Sequence, residues 1–189
     1  MKKKAAFIFL FIFLHFSIKA QVNTGDSLAL VDFYNSTKGA AWKNNTNWLK
    51  GRVSEWFGVR LTGTRVAQLS LINNQLDGTL PPSLGNLTEI TGIFLSNNKI
   101  RGVIPANIGK LTNLNFLHLS ANKLNGNIPD ELGNATSLQE LHLSYNQLSG
   151  AIPESMRKLT NLLELILDHN QLTGSISAGL GDTRIRRLD

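Results

Sequence analysis

Residues 117–129 spell LHLSANKLNGNIP, and this short segment carries the pattern of most of the chain. Leu117 and Leu119 flank a polar residue, as in a short strand that buries one of its faces. Asn122 follows the strand, and a leucine, a glycine and a proline come after it. The same frame recurs every 24 residues, which places its asparagine at Asn74, Asn98, Asn122, Asn146 and Asn170. Five copies in phase predict a repeat architecture rather than a series of unrelated elements.

Each repeated position has a structural explanation. One coil cannot bury its leucines alone, so the coils must stack on one another. We expect the asparagine to turn the chain inward, with its amide pairing with backbone groups that the bend leaves free. The glycine permits a positive φ or a close approach between coils, and the proline stiffens the return segment. The repeated residues are therefore interpreted as structural, and none is assigned to function.

The repeated unit, L-x-x-L-x-L-x-x-N-x-L-x-G-x-I-P, resembles the plant-type leucine-rich repeats of receptor ectodomains and polygalacturonase inhibitors. The resemblance implies an α/β repeat fold over residues 66–183, a curved leucine-rich-repeat solenoid with a parallel β-sheet on its concave face. It also implies a binding module rather than an enzyme. The chain has no G-x-S-x-G motif, no cysteine and no phosphate-binding loop, which agrees with that expectation.

The segment 21–65 differs in composition from the repeats, and we predict an N-terminal helical and aromatic cap. Asp26 is the predicted N-cap of a helix that ends near Thr37. Trp42, Trp48 and Trp56 follow among polar residues. Trp56-Phe57-Gly58-Val59 resembles the cap element of the plant repeats, although the flanking cysteines of that element are missing. Residues 30–37 resemble the cap of exported repeat proteins from Bacteroidetes-type bacteria.

The N-terminal segment predicts where the protein is located. Residues 1–20 combine three lysines, an apolar run and a small residue, Ala20, which is typical of a secretory signal peptide. The apolar run is shorter than the roughly 20 residues of a membrane span. We therefore expect a secreted or cell-surface protein without a membrane span. Residues 184–189 are either a basic tail or a truncated sixth repeat.

The charge balance excludes nucleic acid as a predicted partner. The formal net charge is +6, but four of the basic residues lie in the predicted signal peptide. Beyond residue 20 the chain holds 15 basic and 13 acidic residues, a balance that indicates no basic binding surface.

The repeat register predicts which side chains share the exposed face of the sheet. Outward residues of neighbouring strands stack into columns about 4.8 Å apart. One column contains Ser70, Phe94, His118, His142 and Ile166, and the column two residues earlier contains Gln68, Gly92, Phe116, Glu140 and Glu164. Exposed aromatic clusters mark interaction sites. The predicted binding residues are Phe94, Phe116, His118, Glu140, His142, Tyr145 and Glu164.

These columns predict non-enzymatic recognition of a protein or peptide through the concave face, outside the cell or at its surface. The alternative is adhesion to a cell-wall or extracellular polysaccharide, whose sugar rings would stack on the aromatic side chains. His118 and His142, beside the two glutamates, have the ligand types of a zinc site. Duplication of the repeat explains their recurrence equally well, so neither a metal nor another cofactor is predicted. Ice binding is disfavoured because the row Thr79, Val103, Asn127, Ala151 and Ser175 is not uniform.

Overall fold

The computed structural model describes residues 21–174 and 185–188, and in these residues the repeats form a stacked solenoid with two sheets. The larger sheet has seven strands in the described residues, in the order β1-β2-β4-β6-β8-β10-β12. β1 is antiparallel to β2, and the other neighbours are parallel. The strands are Val59–Thr62 (β1), Arg65–Ser70 (β2), Gly92–Phe94 (β4), Phe116–His118 (β6), Glu140–His142 (β8), Glu164–Ile166 (β10) and Arg187–Leu188 (β12). The predicted α/β leucine-rich-repeat solenoid is confirmed.

A second, smaller parallel sheet was not predicted. Its strands follow the repeated asparagines and are Asp77–Thr79 (β3), Lys99–Gly102 (β5), Lys123–Asn127 (β7), Gln147–Gly150 (β9) and Gln171–Leu172 (β11). Each inner strand buries one residue, and in β5 and β7 this residue, Ile100 or Leu124, lies between exposed neighbours. The strands are short, and each inner strand contains a glycine of positive φ, namely Gly102, Gly126 or Gly150. The alternation of buried and exposed residues is therefore too brief to predict these strands from the sequence.

Short 3-10 helices complete the coils on the return path. They are Pro82–Asn86, Ala106–Lys110, Asp130–Asn134 and Glu154–Lys158, each preceded by a proline in the extended conformation. A Cβ on Gly109 would overlap the carbonyl oxygen of Glu131 in the next coil. Gly85, Gly109 and Gly133 therefore allow neighbouring 3-10 helices to approach at backbone distance.

The repeated asparagines form a hydrogen-bonded ladder, as the sequence predicts. The amide nitrogen of Asn122 donates to the carbonyl oxygens of Leu95 and Leu119, both at 3.0 Å. Its Oδ1 accepts from the backbone N–H of Ile100 at 3.0 Å. The same pattern recurs at Asn98, Asn146 and Asn170. Each side chain therefore joins two coils and leaves few buried backbone groups unpaired.

The residue before each repeated asparagine has a left-handed backbone. Asn73, Asn97, Ala121, Tyr145 and His169 have φ between 51° and 58°. Asparagine and histidine are enriched in this conformation, whereas alanine and tyrosine adopt it at a greater cost.

A single core runs along the stacked coils. The inward leucines and isoleucines of the larger sheet are fully buried, among them Ile93, Leu95, Leu117, Leu119, Leu141 and Leu143. The smaller sheet and the 3-10 helices add their buried side chains to the same cluster. Because every coil shares this core only with its neighbours, stability depends on coil-to-coil contacts.

The N-terminal segment contains helix α1, Thr24–Ser36, whose predicted N-cap was wrong. Asn23 is the cap: its Oδ1 accepts from the backbone N–H of Gly25 at 2.9 Å and of Asp26 at 3.2 Å. Asp26 lies in the first turn, fully buried, where Arg65 donates two hydrogen bonds of 3.0 Å to its carboxylate. The carboxylate also accepts from Val66 N–H at 2.8 Å. Asp26 therefore joins α1 to β2 instead of capping the helix, through an arginine that lies 39 residues further along the chain.

The three tryptophans of this segment are buried against one another and join the core of the first coil. Trp42 and Trp48 meet edge to face with ring centroids 4.9 Å apart, and Trp48 lies 4.9 Å from Trp56. Each indole N–H donates to a backbone carbonyl, at distances of 2.8–3.0 Å. The segment therefore packs as an aromatic layer without any disulfide.

The predicted signal peptide, residues 1–20, lies outside the described residues. Residues 175–184, which include the end of the fifth copy, also lie outside them. Beyond them, β12 pairs with β10 in parallel, with Arg187 opposite Glu164. Two residues of the predicted tail thus extend the larger sheet. No helix in the part of the chain that the structure describes is long and apolar enough to cross a membrane.

Candidate ligand-binding surface

The larger sheet brings the predicted aromatic residues together in the expected columns. Phe94 lies opposite His118, and His118 lies opposite His142. Phe116 lies opposite Glu140 on the strand that follows it. We call Phe94, Phe116, His118 and His142 the aromatic patch. All four side chains are half-buried rather than fully exposed.

A glycine in the neighbouring column positions the first ring of the patch. A Cβ on Gly92 would lie 2.6 Å from the Phe94 ring, so this ring occupies the space that a side chain at position 92 would fill. Phe116, on the adjacent strand, stacks on Phe94 with centroids 6.1 Å apart and planes inclined by 26°. The two rings form a broad apolar surface on the exposed side of the sheet.

The two histidines continue this surface on the next strands. His118 meets Phe94 edge to face, with ring centroids 5.0 Å apart. His118 and His142 stack almost in parallel, with centroids 4.0 Å apart and planes inclined by 10°.

Each histidine is paired with a glutamate from the following coil. His118 Nε2 lies 2.9 Å from Glu140 Oε2, and His142 Nε2 lies 3.0 Å from Glu164 Oε2. Burial lowers the pKa of His118, and the neighbouring His142 lowers it further, while the hydrogen bond to Glu140 acts in the opposite direction. The patch therefore ends in a polar rim of two carboxylates.

Tyr145, the remaining aromatic residue among the predicted binding residues, pairs with a ring outside the patch. Its ring stacks on His169 at 4.0 Å, and the described residues show no ring contact between it and the patch. Tyr145 is 55% exposed and lies past the end of β8, in the left-handed turn. Because Tyr145 lies in the turn and not in the strand, strand alternation alone could not place its side chain.

A polar groove that the sequence did not reveal lies where the first strands of the larger sheet begin. Its volume is about 670 Å³, and its lining includes Arg60, Gln68, Glu89, Thr91 and Asn115. Gln68 belongs to the Gly92–Phe116 column, so the groove begins next to the patch. Its residues come from β1 and from four successive coils, as far as Ser137, and no local motif joins them.

Comparisons with known proteins agree with the repeat architecture. One leucine-rich repeat model matches residues 127–172, and a second matches residues 65–87, 89–111 and 113–135. No curated protein sequence matches the chain significantly.

Solved structures of similar fold include several plant proteins. The BIR3–SERK2 complex from Arabidopsis thaliana matches with 31% identity and a TM-score of 0.70, over 86% of this chain and 93% of that one. A plant ice-binding protein matches with 30% identity and a TM-score of 0.78, over 86% of this chain. The ectodomain of the Arabidopsis receptor kinase HAESA, solved with an extended IDA peptide hormone, matches with 26% identity and a TM-score of 0.66, also over 86% of this chain.

The matched proteins differ in length. The chain spans only 54% of the ice-binding protein and 32% of the HAESA ectodomain. The family models nevertheless cover more than half of the chain, and the BIR3–SERK2 match extends over most of both proteins. The chain therefore belongs to the leucine-rich repeat family and resembles plant receptor ectodomains.

Proposed function

We propose that this protein is a non-enzymatic recognition module that binds a protein or peptide outside the cell or at its surface, through the concave face formed by the larger sheet. Leucine-rich repeat domains are generally binding modules without catalytic activity. Two of the similar structures, BIR3–SERK2 and HAESA with its peptide hormone, are complexes with a protein or a peptide. Similarity to ectodomains and the pattern of residues 1–20 support an extracellular location.

The aromatic patch is the observation that carries this proposal. Apolar rings at outward positions, bordered by carboxylates, match the apolar centre and polar rim of protein interfaces. An apolar side chain of the partner would pack on Phe94 and Phe116. A basic or hydroxyl group would meet Glu140 or Glu164, and the polar groove beside the patch would take an adjoining segment.

We expect the double variant Phe94→Ala/Phe116→Ala to bind its partner at least about 30-fold more weakly, the loss that corresponds to a single hot spot of about 2 kcal/mol. The measurement is capture of partners from cell-surface extracts, followed by titration of the captured partner. Phe57→Ala is the matched control, because Phe57 is an exposed phenylalanine in the N-terminal segment, outside the patch. Circular dichroism must first show that all variants are folded.

Gly92→Ala tests whether binding depends on where the Phe94 ring lies, and not only on whether the two rings are present. The added methyl group would displace the Phe94 ring while both phenylalanines remain. We expect it to weaken binding as well, by less than the double variant. Capture that is unchanged in both variants, or a partner confined to the cytosol, would contradict the proposal.

Polysaccharide adhesion is tested in the same experiment. Sugar rings stack on aromatic faces, but none of the similar structures described above is named for glycan binding. Soluble cell-wall polysaccharide should leave capture of a protein partner unchanged. Competition by the polysaccharide would favour the adhesion alternative.

Ice adsorption is a second candidate, favoured by the similarity to the plant ice-binding protein. Thr79 and Asn127 at the ends of β3 and β7 of the smaller sheet, and Val103 and Ala151 directly after β5 and β9, are exposed short side chains in equivalent positions. Lys99 and Arg101 lie on the same sheet and reduce its regularity. Ice recrystallisation in the presence of the protein is the measurement. Inhibition by the wild type that Asn127→Lys abolishes would support this candidate, and growth of ice crystals as in buffer alone would remove it.

A further inference from the structure

We propose that His118, His142 and Glu140 form a binding site for a divalent transition-metal ion, best suited to Zn²⁺, on the exposed face of the larger sheet. The site does not depend on the proposed function, since a metal ion can bind whether or not a partner does. It lies at the polar end of the aromatic patch.

The ligand atoms are already close together. One nitrogen of each imidazole and one oxygen of Glu140 all lie within 4.8 Å of one another, and no other such group of three occurs in the described residues. Zinc bonds of about 2.0–2.1 Å bring neighbouring ligands of a tetrahedral site to about 3.3 Å apart. The widest of these separations must therefore shorten by at most about 1.5 Å, whereas His118 Nε2 and Glu140 Oε2 are already 2.9 Å apart. Since the rings lie nearly parallel, they must also rotate toward each other, which half-buried side chains at a surface can do.

The backbone fixes the spacing of the two histidine-bearing strands. Leu119 N–H donates to the carbonyl oxygen of His142 at 2.8 Å, and Leu95 N–H donates to that of His118 at 2.8 Å. Rigid strands are favourable supports for a metal site because only side-chain rotation is needed to complete it.

The fold does not require histidine at these positions. The corresponding residues of the other coils are Ser70, Phe94 and Ile166, which occupy the same column of the same sheet. Histidine occurs in two successive coils, and the coil after each supplies a glutamate to it. Whatever the origin of the recurrence, it places two imidazoles and a carboxylate side by side on neighbouring strands.

The ligand types select the class of ion. Imidazole nitrogen suits zinc, copper and nickel, whereas magnesium and calcium prefer oxygen ligands alone. Two imidazoles and one carboxylate are a known zinc ligand set that leaves a fourth position for water or another ligand. Glu164, whose Oε2 lies 3.0 Å from His142 Nε2, places a second carboxylate beside the cluster.

The test is isothermal titration of the protein, purified without a histidine tag, with ZnCl₂ and separately with MgCl₂. We expect one Zn²⁺ per chain and no saturable uptake of Mg²⁺. His118→Gln and His142→Gln should each weaken zinc binding by at least about tenfold, the lower end of the loss seen even for groups that only support metal ligands. His169→Gln is the matched control, because His169 stacks on Tyr145 outside this cluster.

Cobalt(II) gives a second readout that does not depend on affinity. Tetrahedral Co²⁺ absorbs visible light much more strongly than six-coordinate Co²⁺, so titration of the wild type should produce strong bands that Glu140→Gln weakens. Circular dichroism verifies the fold of each variant. Absence of saturable zinc binding to the folded wild type would overturn the proposal. Zinc binding that persists in both His118→Gln and His142→Gln, or that only His169→Gln abolishes, would also overturn it.

Discussion

Leu119→Ala is expected to lower the free energy of unfolding by about 2–5 kcal/mol, the range for removing a fully buried leucine side chain. Leu119 is inaccessible to solvent in a central coil, with the inward residues of coils on both sides packed into the same cluster. The neighbouring strands are held by backbone hydrogen bonds and cannot collapse far into the space left behind. Urea denaturation followed by circular dichroism measures the change.

Leu28→Ala makes the same chemical change at an exposed site. Leu28 is 64% exposed on helix α1, so its substitution should stay within about 0.5 kcal/mol. If Leu119→Ala cost no more than this control, the assignment of inward and outward positions would have to be abandoned. The slope of the transition should also be compared, since stacked repeats can lose cooperativity when one coil is weakened.

Asn122→Ala is expected to lower the free energy of unfolding by about 3 kcal/mol, through lost hydrogen bonds rather than lost apolar contact. The substitution leaves the N–H of Ile100 and the carbonyl oxygens of Leu95 and Leu119 without their side-chain partner. A buried polar group without a partner costs about 1–3 kcal/mol, and partial access of water would reduce the total. The same denaturation experiment gives the value.

Asn125→Ala is the control within the same coil, because Asn125 is exposed on the smaller sheet. We expect a change within about 0.5 kcal/mol. Equal effects of the two substitutions would mean that the asparagine ladder does not hold the coils together.

The repeat frame predicts the larger sheet because two independent signals coincide in it. Leu117 and Leu119 show the alternation of a strand, and the period of 24 residues fixes where the next strand lies. The amide role of Asn122 follows from the same argument, since a bend leaves backbone groups that need partners. The smaller sheet escapes prediction because its strands interrupt their alternation with a glycine of positive φ.

Contacts between distant residues limit the prediction elsewhere. Asp26 has the residue type of a helix cap but lies within the first turn, and its bidentate pairing with Arg65 is visible only in the structure. At the candidate site, the columns predict that Phe94 and His118 are neighbours. They do not show that the Phe94 ring covers Gly92 or that each histidine pairs with the glutamate of the next coil, because these depend on side-chain rotamers.

The left-handed turn before each asparagine has a consequence for how such a surface can diversify. Its backbone conformation is imposed by the coil and is the same whether the residue is asparagine, alanine, tyrosine or histidine. Each coil therefore contains one position at which the backbone conformation is fixed and the side chain can differ. Exchanging Tyr145 or His169 changes the side chain at this position of the coil while the backbone of the coils keeps its geometry. The conformational cost of a bulky residue falls on that residue alone, so recognition properties can be varied there almost independently of the scaffold.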